Sequence, residues 1–219
     1  MESIMRHQVY PCNGVLVLTH GMGARCIAPV TCRGEIRYDA GSFPPENPAM
    51  IPAKTARMLT RYNTWSNKVW FDAIAALPDG EAMKERKSLF KNVVHTMNHI
   101  YIIDLIWQAH LEGRDHGMSA RNSADSPALD EWWKAQQAID KWYEQWSDKQ
   151  TDETLADRRP ITLIGGNVVS MSQAEMLLHL YHHTAYHRGF VGDMMYAVPG
   201  CRPPVTDLPV FLREAPQSY

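Results

Sequence analysis

The last third of the chain carries histidines at the spacing of one helix face. His183 and His187 lie four residues apart in the segment His-Leu-Tyr-His-His-Thr-Ala-Tyr-His-Arg-Gly, and His179 lies four residues before them. Side chains four apart on an α-helix are neighbours, with Cβ atoms about 5–6 Å apart. Two imidazoles placed in this way can bind one metal ion, as the histidines of a H-E-x-x-H motif do. The glutamate of that motif is absent here, so the pattern does not indicate a zinc protease.

A second pair of histidines repeats the spacing earlier in the chain. His95 and His99 lie four residues apart in His-Thr-Met-Asn-His. One ligand from this pair and two from the later group would make a three-histidine site with an open position, which is typical of a catalytic metal centre. A lone histidine is more often a packed or solvated residue, but five on two helices at this spacing favour a metal site. The spacing alone leaves open which of the five are the ligands.

The elements that must hold these histidines are long helices. Apolar residues recur at three- and four-residue steps in three stretches, and Ser172 with Glu175 fits a capping box that begins a fourth helix. The predicted helices span 53–77, 88–111, 130–146 and 172–200, and a small β-hairpin is predicted within 158–171. We therefore predict an all-α four-helix bundle with the hairpin before the last helix, and bundles commonly hold metals between facing helices.

Composition excludes several classes of function. The chain has 219 residues and a formal net charge of −2, with no basic run that would indicate a nucleic-acid partner. No stretch reaches the 18 apolar residues that a membrane span needs. Three of the four cysteines, Cys12, Cys26 and Cys32, lie near the start without a disulfide or zinc-finger spacing. This cysteine pattern predicts a reducing, cytoplasmic location.

The first 50 residues do not match the rest of the chain. They contain glycine, proline and short apolar fragments without a sustained period, and they end in a linker-like segment rich in proline. We predict that residues 1–50 form a poorly ordered, irregular N-terminal extension, and that residues 51–219 form the bundle domain. A misplaced start, with Met50 as the true first residue, would explain the mismatch.

Four motifs, in this order, resemble the DinB-like (damage-inducible DinB/YfiT) superfamily of metalloenzymes. Each motif is weak alone, but their order and spacing over Ile51 to Leu212 are fairly specific. They are Tyr62-Asn63-x-Trp65-x-Asn67, His99-Ile100-x-x-x-Asp104-x-x-Trp107, His183-x-x-x-His187-Arg188-Gly189 and Pro203-Pro204-x-x-Asp207-Leu208.

The resemblance implies a four-helix bundle, often a homodimer, with a metal site formed by His99, His183 and His187. Phe190 stands where the superfamily usually has Gln, and His182 stands where it usually has Asn. Both departures lie beside the implied ligands, so they bear on the substrate rather than on the metal. His95 and His179, each one turn before an implied ligand, are candidates for a fourth ligand or for a residue that supports the ligands from behind. Asp104 and Arg188 are further candidates for supporting residues.

Characterised members of the superfamily include enzymes that use low-molecular-weight thiols. The resemblance therefore implies a metal-dependent S-transferase that acts on a small-molecule substrate, with a divalent Zn, Ni, Mn or Fe ion and a low-molecular-weight thiol as cosubstrate. No protein side chain is assigned a catalytic role, since no obvious general base accompanies the histidines. The alternatives are a hydrolase that uses metal-bound hydroxide, with Asp104 or His95 beside it, and a non-catalytic, stress-related metal-binding dimer.

Overall fold

Four long helices form the body of the protein. The computed structural model describes residues 50–124 and 127–215. The helices and strands are α1 (Ala53–Ala75), α2 (Val93–Glu112), α3 (Leu129–Asp148), α4 (Asp152–Ala156), β1 (Arg158–Thr162), β2 (Val168–Ser172), α5 (Gln173–Tyr196) and α6 (Leu208–Glu214). The predicted all-α bundle with a hairpin before the last long helix is confirmed. The short helices α4 and α6 were not predicted.

The bundle packs as two helix pairs. Helix α2 lies mainly against α5, and α1 lies mainly against α3. Helix α2 is buried on nearly all sides, as its mostly apolar sequence predicts. Burial of Met97, Ile100, Val191 and Met194 between α2 and α5 fixes the two histidine-bearing helices against each other.

Helix α2 begins one turn later than its apolar pattern predicts. The predicted start at Ser88 is wrong, because the side chain of Asn92 accepts a hydrogen bond from the backbone N–H of His95 (2.8 Å) and caps the helix there. Residues 88–92 form bends instead. The helix ends at Gly113, whose φ of 72° is in the left-handed region that glycine adopts without strain.

The hairpin leads directly into α5. Strands β1 and β2 pair antiparallel, with Arg158 opposite Ser172. The predicted capping box is confirmed, since Ser172 Oγ accepts from the backbone N–H of Glu175 (3.2 Å) and Glu175 Oε2 accepts from that of Ser172 (2.8 Å). This reciprocal cap fixes where α5 begins, and with it the face on which the later histidines lie.

The predicted N-terminal extension, residues 1–50, falls almost wholly outside the described residues. Within the described ranges, no helix is both long and apolar enough to cross a membrane.

Candidate metal centre

The structure brings together one histidine from α2 and two from α5. One ring nitrogen from each of His99, His183 and His187 lies within 4.8 Å of the other two. Ring centroids are 5.0 Å apart for His99 and His183, 4.5 Å for His99 and His187, and 4.2 Å for His183 and His187. Within residues 50–124 and 127–215, these three form the one group of histidine, cysteine or acidic residues compact enough to hold a metal ion.

The orientation of His99 is set by the loop that follows α2. Its Nδ1 lies 2.8 Å from the backbone carbonyl oxygen of Arg121. A carbonyl oxygen only accepts, so Nδ1 carries the hydrogen and Nε2 keeps its lone pair. That Nε2 lies 3.1 Å from Nε2 of His183. The lone pair of His99 therefore faces His183, which is the arrangement that a metal ligand held from behind adopts.

The loop itself is tied to α2 by amide side chains. Asn98 Oδ1 accepts from the backbone N–H and the hydroxyl of Ser123, both at 3.0 Å. Asn122 Nδ2 donates to the backbone carbonyl of His95 (2.9 Å). These contacts hold the Arg121 carbonyl in place, and sequence reasoning missed them because they join residues more than 20 positions apart.

Burial keeps all three imidazoles neutral. It lowers the pKa of His183 to about 3, with further lowering from the neighbouring His187 and His99, and it lowers the pKa of His187 to about 4. Burial also lowers the pKa of His99, although the hydrogen bond to the Arg121 carbonyl opposes this. Neutral imidazole is the form that binds metals, so the three side chains need lose no proton to accept a cation at pH 7.

The donor set fits a divalent metal ion. Nδ1 of His183 and Nδ1 of His187 are buried and have no hydrogen-bond partner among the described residues. Buried polar atoms are rarely left without partners. A cation held by the three neutral rings would account for the 3.1 Å approach of Nε2 of His99 to Nε2 of His183, and no hydrogen bond from a described residue to Nδ1 of His183 or His187 competes with it.

Two further histidines lie beside this group. The ring of His179 stacks 5.7 Å from that of His183 and lies 4.5 Å from Trp107. The ring of His95 lies 6.0 Å from that of Phe90. Neither histidine belongs to the compact group of three, so their supporting role stays a prediction.

Arg188, the residue after His187, is buried in the bundle rather than directed to solvent. Its Nη2 donates to Asn67 Oδ1 (2.5 Å) and to Asn63 Oδ1 (2.8 Å), both on α1. Asn67 in turn donates to both carboxylate oxygens of Asp140 on α3, at 2.8 and 3.1 Å. The arginine therefore ties α5 to α1 and α3 immediately beside the histidine pair.

Asp104 extends this network to α2. Gln136 Nε2 donates to Asp104 Oδ2 (2.9 Å) and to Asp140 Oδ1 (3.0 Å), so one amide bridges two buried carboxyl groups. Burial, together with the charge of Asp140, raises the pKa of Asp104 to about 8, and burial raises the pKa of Asp140 to about 6. The network joins all four long helices, and the partners described for Asp104 are Gln136 and Tyr143. Its predicted role behind the metal stays a prediction.

A profile of the DinB family matches residues 51–218. The chain is 26% identical to Protein DinB of Bacillus subtilis (strain 168) over 148 residues, which cover 63% of this chain and 82% of the relative.

Proposed function

Since the chain belongs to the DinB family, we propose that it is a metal-dependent enzyme of the S-transferase type that activates a low-molecular-weight thiol. The proposed ligands of the metal are His99, His183 and His187. The observation that carries the proposal is the convergence of three neutral imidazoles from two helices on one point. Three protein ligands leave a position open for a substrate, unlike the closed sites that only stabilise a fold.

A divalent ion held by these neutral ligands would keep its full charge, and the chemistry that it would supply is a lower pKa, nearer neutrality, for a bound thiol. The protein's part is to fix the three rings, through the Arg121 carbonyl behind His99 and the capped helix that carries His183 and His187. In the transfer, the thiol sulfur bonds to an electrophilic carbon of the substrate. The leaving group departs with its bonding electron pair, and the thiol proton passes to solvent.

The surroundings of the histidines favour thiol transfer over hydrolysis. The neighbours that shift the pKa values of the three rings are Arg121, Asn122 and other histidines. No carboxylate is among them in the part of the chain that is described. Asp104, the carboxylate proposed to assist a hydrolase, hydrogen-bonds to Gln136 inside the bundle. A thiol needs no protein base once its pKa is lowered, whereas water attack benefits from one.

Imidazole ligands bind several divalent ions, so we propose Zn, Ni, Mn or Fe as the metal. The availability of each ion selects among them. We also propose, from the sequence, that the protein forms a homodimer and is located in the cytoplasm.

The test is a panel of electrophiles incubated with the metal-loaded protein, with and without thiols that include bacillithiol, mycothiol and glutathione. We expect thioether products, detected by mass spectrometry, that require both metal and thiol. They should disappear in His183→Ala and persist in Tyr196→Ala, whose side chain is on the same helix and 62% exposed. Turnover of an ester or amide without thiol would establish the hydrolase instead. Metal binding without any turnover would leave the non-catalytic binding protein.

A further inference from the structure

Three aromatic side chains lie around the ring of His187. Phe90, from the bend before α2, lies 5.1 Å from the His187 ring and 4.8 Å from the His99 ring. Tyr186 and Phe190 lie 5.1 and 6.0 Å from the His187 ring. The ring of Tyr186 meets that of Phe190 edge-on at 5.0 Å. The edge of the candidate metal centre around His187 is therefore aromatic.

A groove continues from these aromatic residues along α5. It is a shallow, open depression of about 330 Å³ on one face of α5, next to Tyr186, Gly189, Phe190 and Asp193. Tyr186 is 61% exposed, although a tyrosine ring has much apolar surface to bury. A side chain at Gly189 would meet nothing within 4 Å, so the floor of the groove is open. A ring can lie on this open face and stack against Tyr186 and Phe190.

The groove has a negative charge at one end. Asp193 lies on the exposed side of α5 and belongs to none of the ion pairs found in the described ranges. No cationic side chain lines the groove. Aromatic faces and a carboxylate together favour a ligand that carries both an aromatic ring and a cation. The ring stacks on the aromatic side chains, and the cation is stabilised by the carboxylate and by the aromatic faces.

We propose that this groove binds the substrate, and that the substrate is a small aromatic compound with a cationic amine. This inference rests on the proposed function, because the ligand of the groove is taken to be the electrophilic substrate of the thiol transfer. The ring packs against Tyr186 and Phe190, and the amine lies near Asp193. The opposite end of the substrate then points toward His187.

The test measures binding rather than turnover, by ligand-observed NMR titration. The probes are phenethylamine, 2-cyclohexylethylamine, which has a saturated ring and the same charge, and 3-phenylpropionate, which has an aromatic ring and the opposite charge. We expect phenethylamine to bind about two- to tenfold more tightly than its saturated counterpart, the range of an aromatic pair. It should also bind more tightly than the carboxylate.

Variants separate the contributions of the groove residues. Tyr186→Ala and Phe190→Gln should remove the preference for the aromatic ring, and Asp193→Asn should reduce the preference for the amine over the carboxylate. Tyr196→Ala is the matched control, because Tyr196 is on the same helix and is 62% exposed but does not line the groove. Equal affinities for the two amines in the parent, or an equal loss in the Tyr196 variant, would overturn the proposal.

The titration is run on metal-free and zinc-loaded protein, so the two proposals can fail separately. A chain that binds no metal but prefers the aromatic amine contradicts the metal enzyme and supports the groove. A second copy of the chain is the competing occupant of an exposed aromatic face. Sedimentation that shows a dimer in the parent and a monomer in Tyr186→Ala, together with no amine binding, would overturn the proposal and assign the groove to the dimer interface.

Discussion

Replacing Asp104 with asparagine should remove a pH dependence from the stability of the bundle. Asp104 is fully buried, and its pKa is raised from an ordinary value of 3.8 to about 8 by burial and by the charge of Asp140. Near pH 6 the folded protein therefore holds a proton on this group that the unfolded chain has released. Because the folded state binds more protons, stability is greatest below the unfolded pKa and falls as the pH rises toward the folded pKa.

The magnitude follows from this difference in proton binding. One proton changes the free energy of unfolding by about 1.4 kcal/mol per pH unit, or about 3 kcal/mol between about pH 5 and 7. Asparagine has the shape of the protonated acid and does not titrate. The stability difference between Asp104→Asn and the parent, measured by urea denaturation, should therefore shift by about 3 kcal/mol in favour of the variant over this range.

The control is Asp72→Asn, which removes an exposed carboxylate paired with Lys68 on α1. Its stability difference from the parent should stay nearly constant over the same range, since an exposed pair of this kind contributes little. A difference for Asp104→Asn that also stays constant from pH 5 to 7 would refute the reasoning, because Asp104 would then be ionised in the folded protein.

Three further outcomes follow from the structure. With pKa values of about 3 and 4 at His183 and His187, zinc affinity measured by competition should change less than about threefold between about pH 7.5 and 6, whereas three ordinary imidazoles would lose about fiftyfold. Arg188→Met leaves the amide oxygens that it bonds on α1 without their donor and should lower the free energy of unfolding by about 1–3 kcal/mol for each oxygen in a denaturant titration. Gly113→Ala forces a side chain into a left-handed conformation at the end of α2 and should cost about 1 kcal/mol in thermal unfolding. A steep loss of zinc affinity, or a stability change below about 0.5 kcal/mol in either variant, the usual range of neutral surface substitutions, would contradict the corresponding argument.

Local patterns explain why much of the fold and the histidine group could be predicted. The helical spacing of His183 and His187 is a property of one element, and the Ser172 capping box fixes where that element begins. The amphipathic pattern identified four helices without any knowledge of their partners. The spacing of the histidines did not decide which histidine of α2 joins His183 and His187. The family resemblance implied His99, and the structure places His99 beside the pair.

Contacts between distant segments explain what could not be predicted. The start of α2 was misplaced because apolar residues continue before Asn92, and the cap rather than the pattern decides the boundary. The carbonyl of Arg121 supports His99 through its backbone, which no residue type reveals. One signal for the buried network was available, since Gln136 and Asp140 interrupt the apolar face of α3 four residues apart. A polar pair on a buried face indicates partners on neighbouring helices.

The metal content of the protein tests the central claim most directly. The protein is purified without a histidine tag, reconstituted with Zn, Ni, Mn or Fe, and assayed by inductively coupled plasma mass spectrometry beside His99→Ala, His183→Ala and the exposed control His182→Ala. The account predicts close to one metal ion per chain in the parent and in the His182 variant, and loss of the metal in the other two. A parent that holds no metal after reconstitution, or a His99 variant that keeps its metal, would contradict a site shared between α2 and α5.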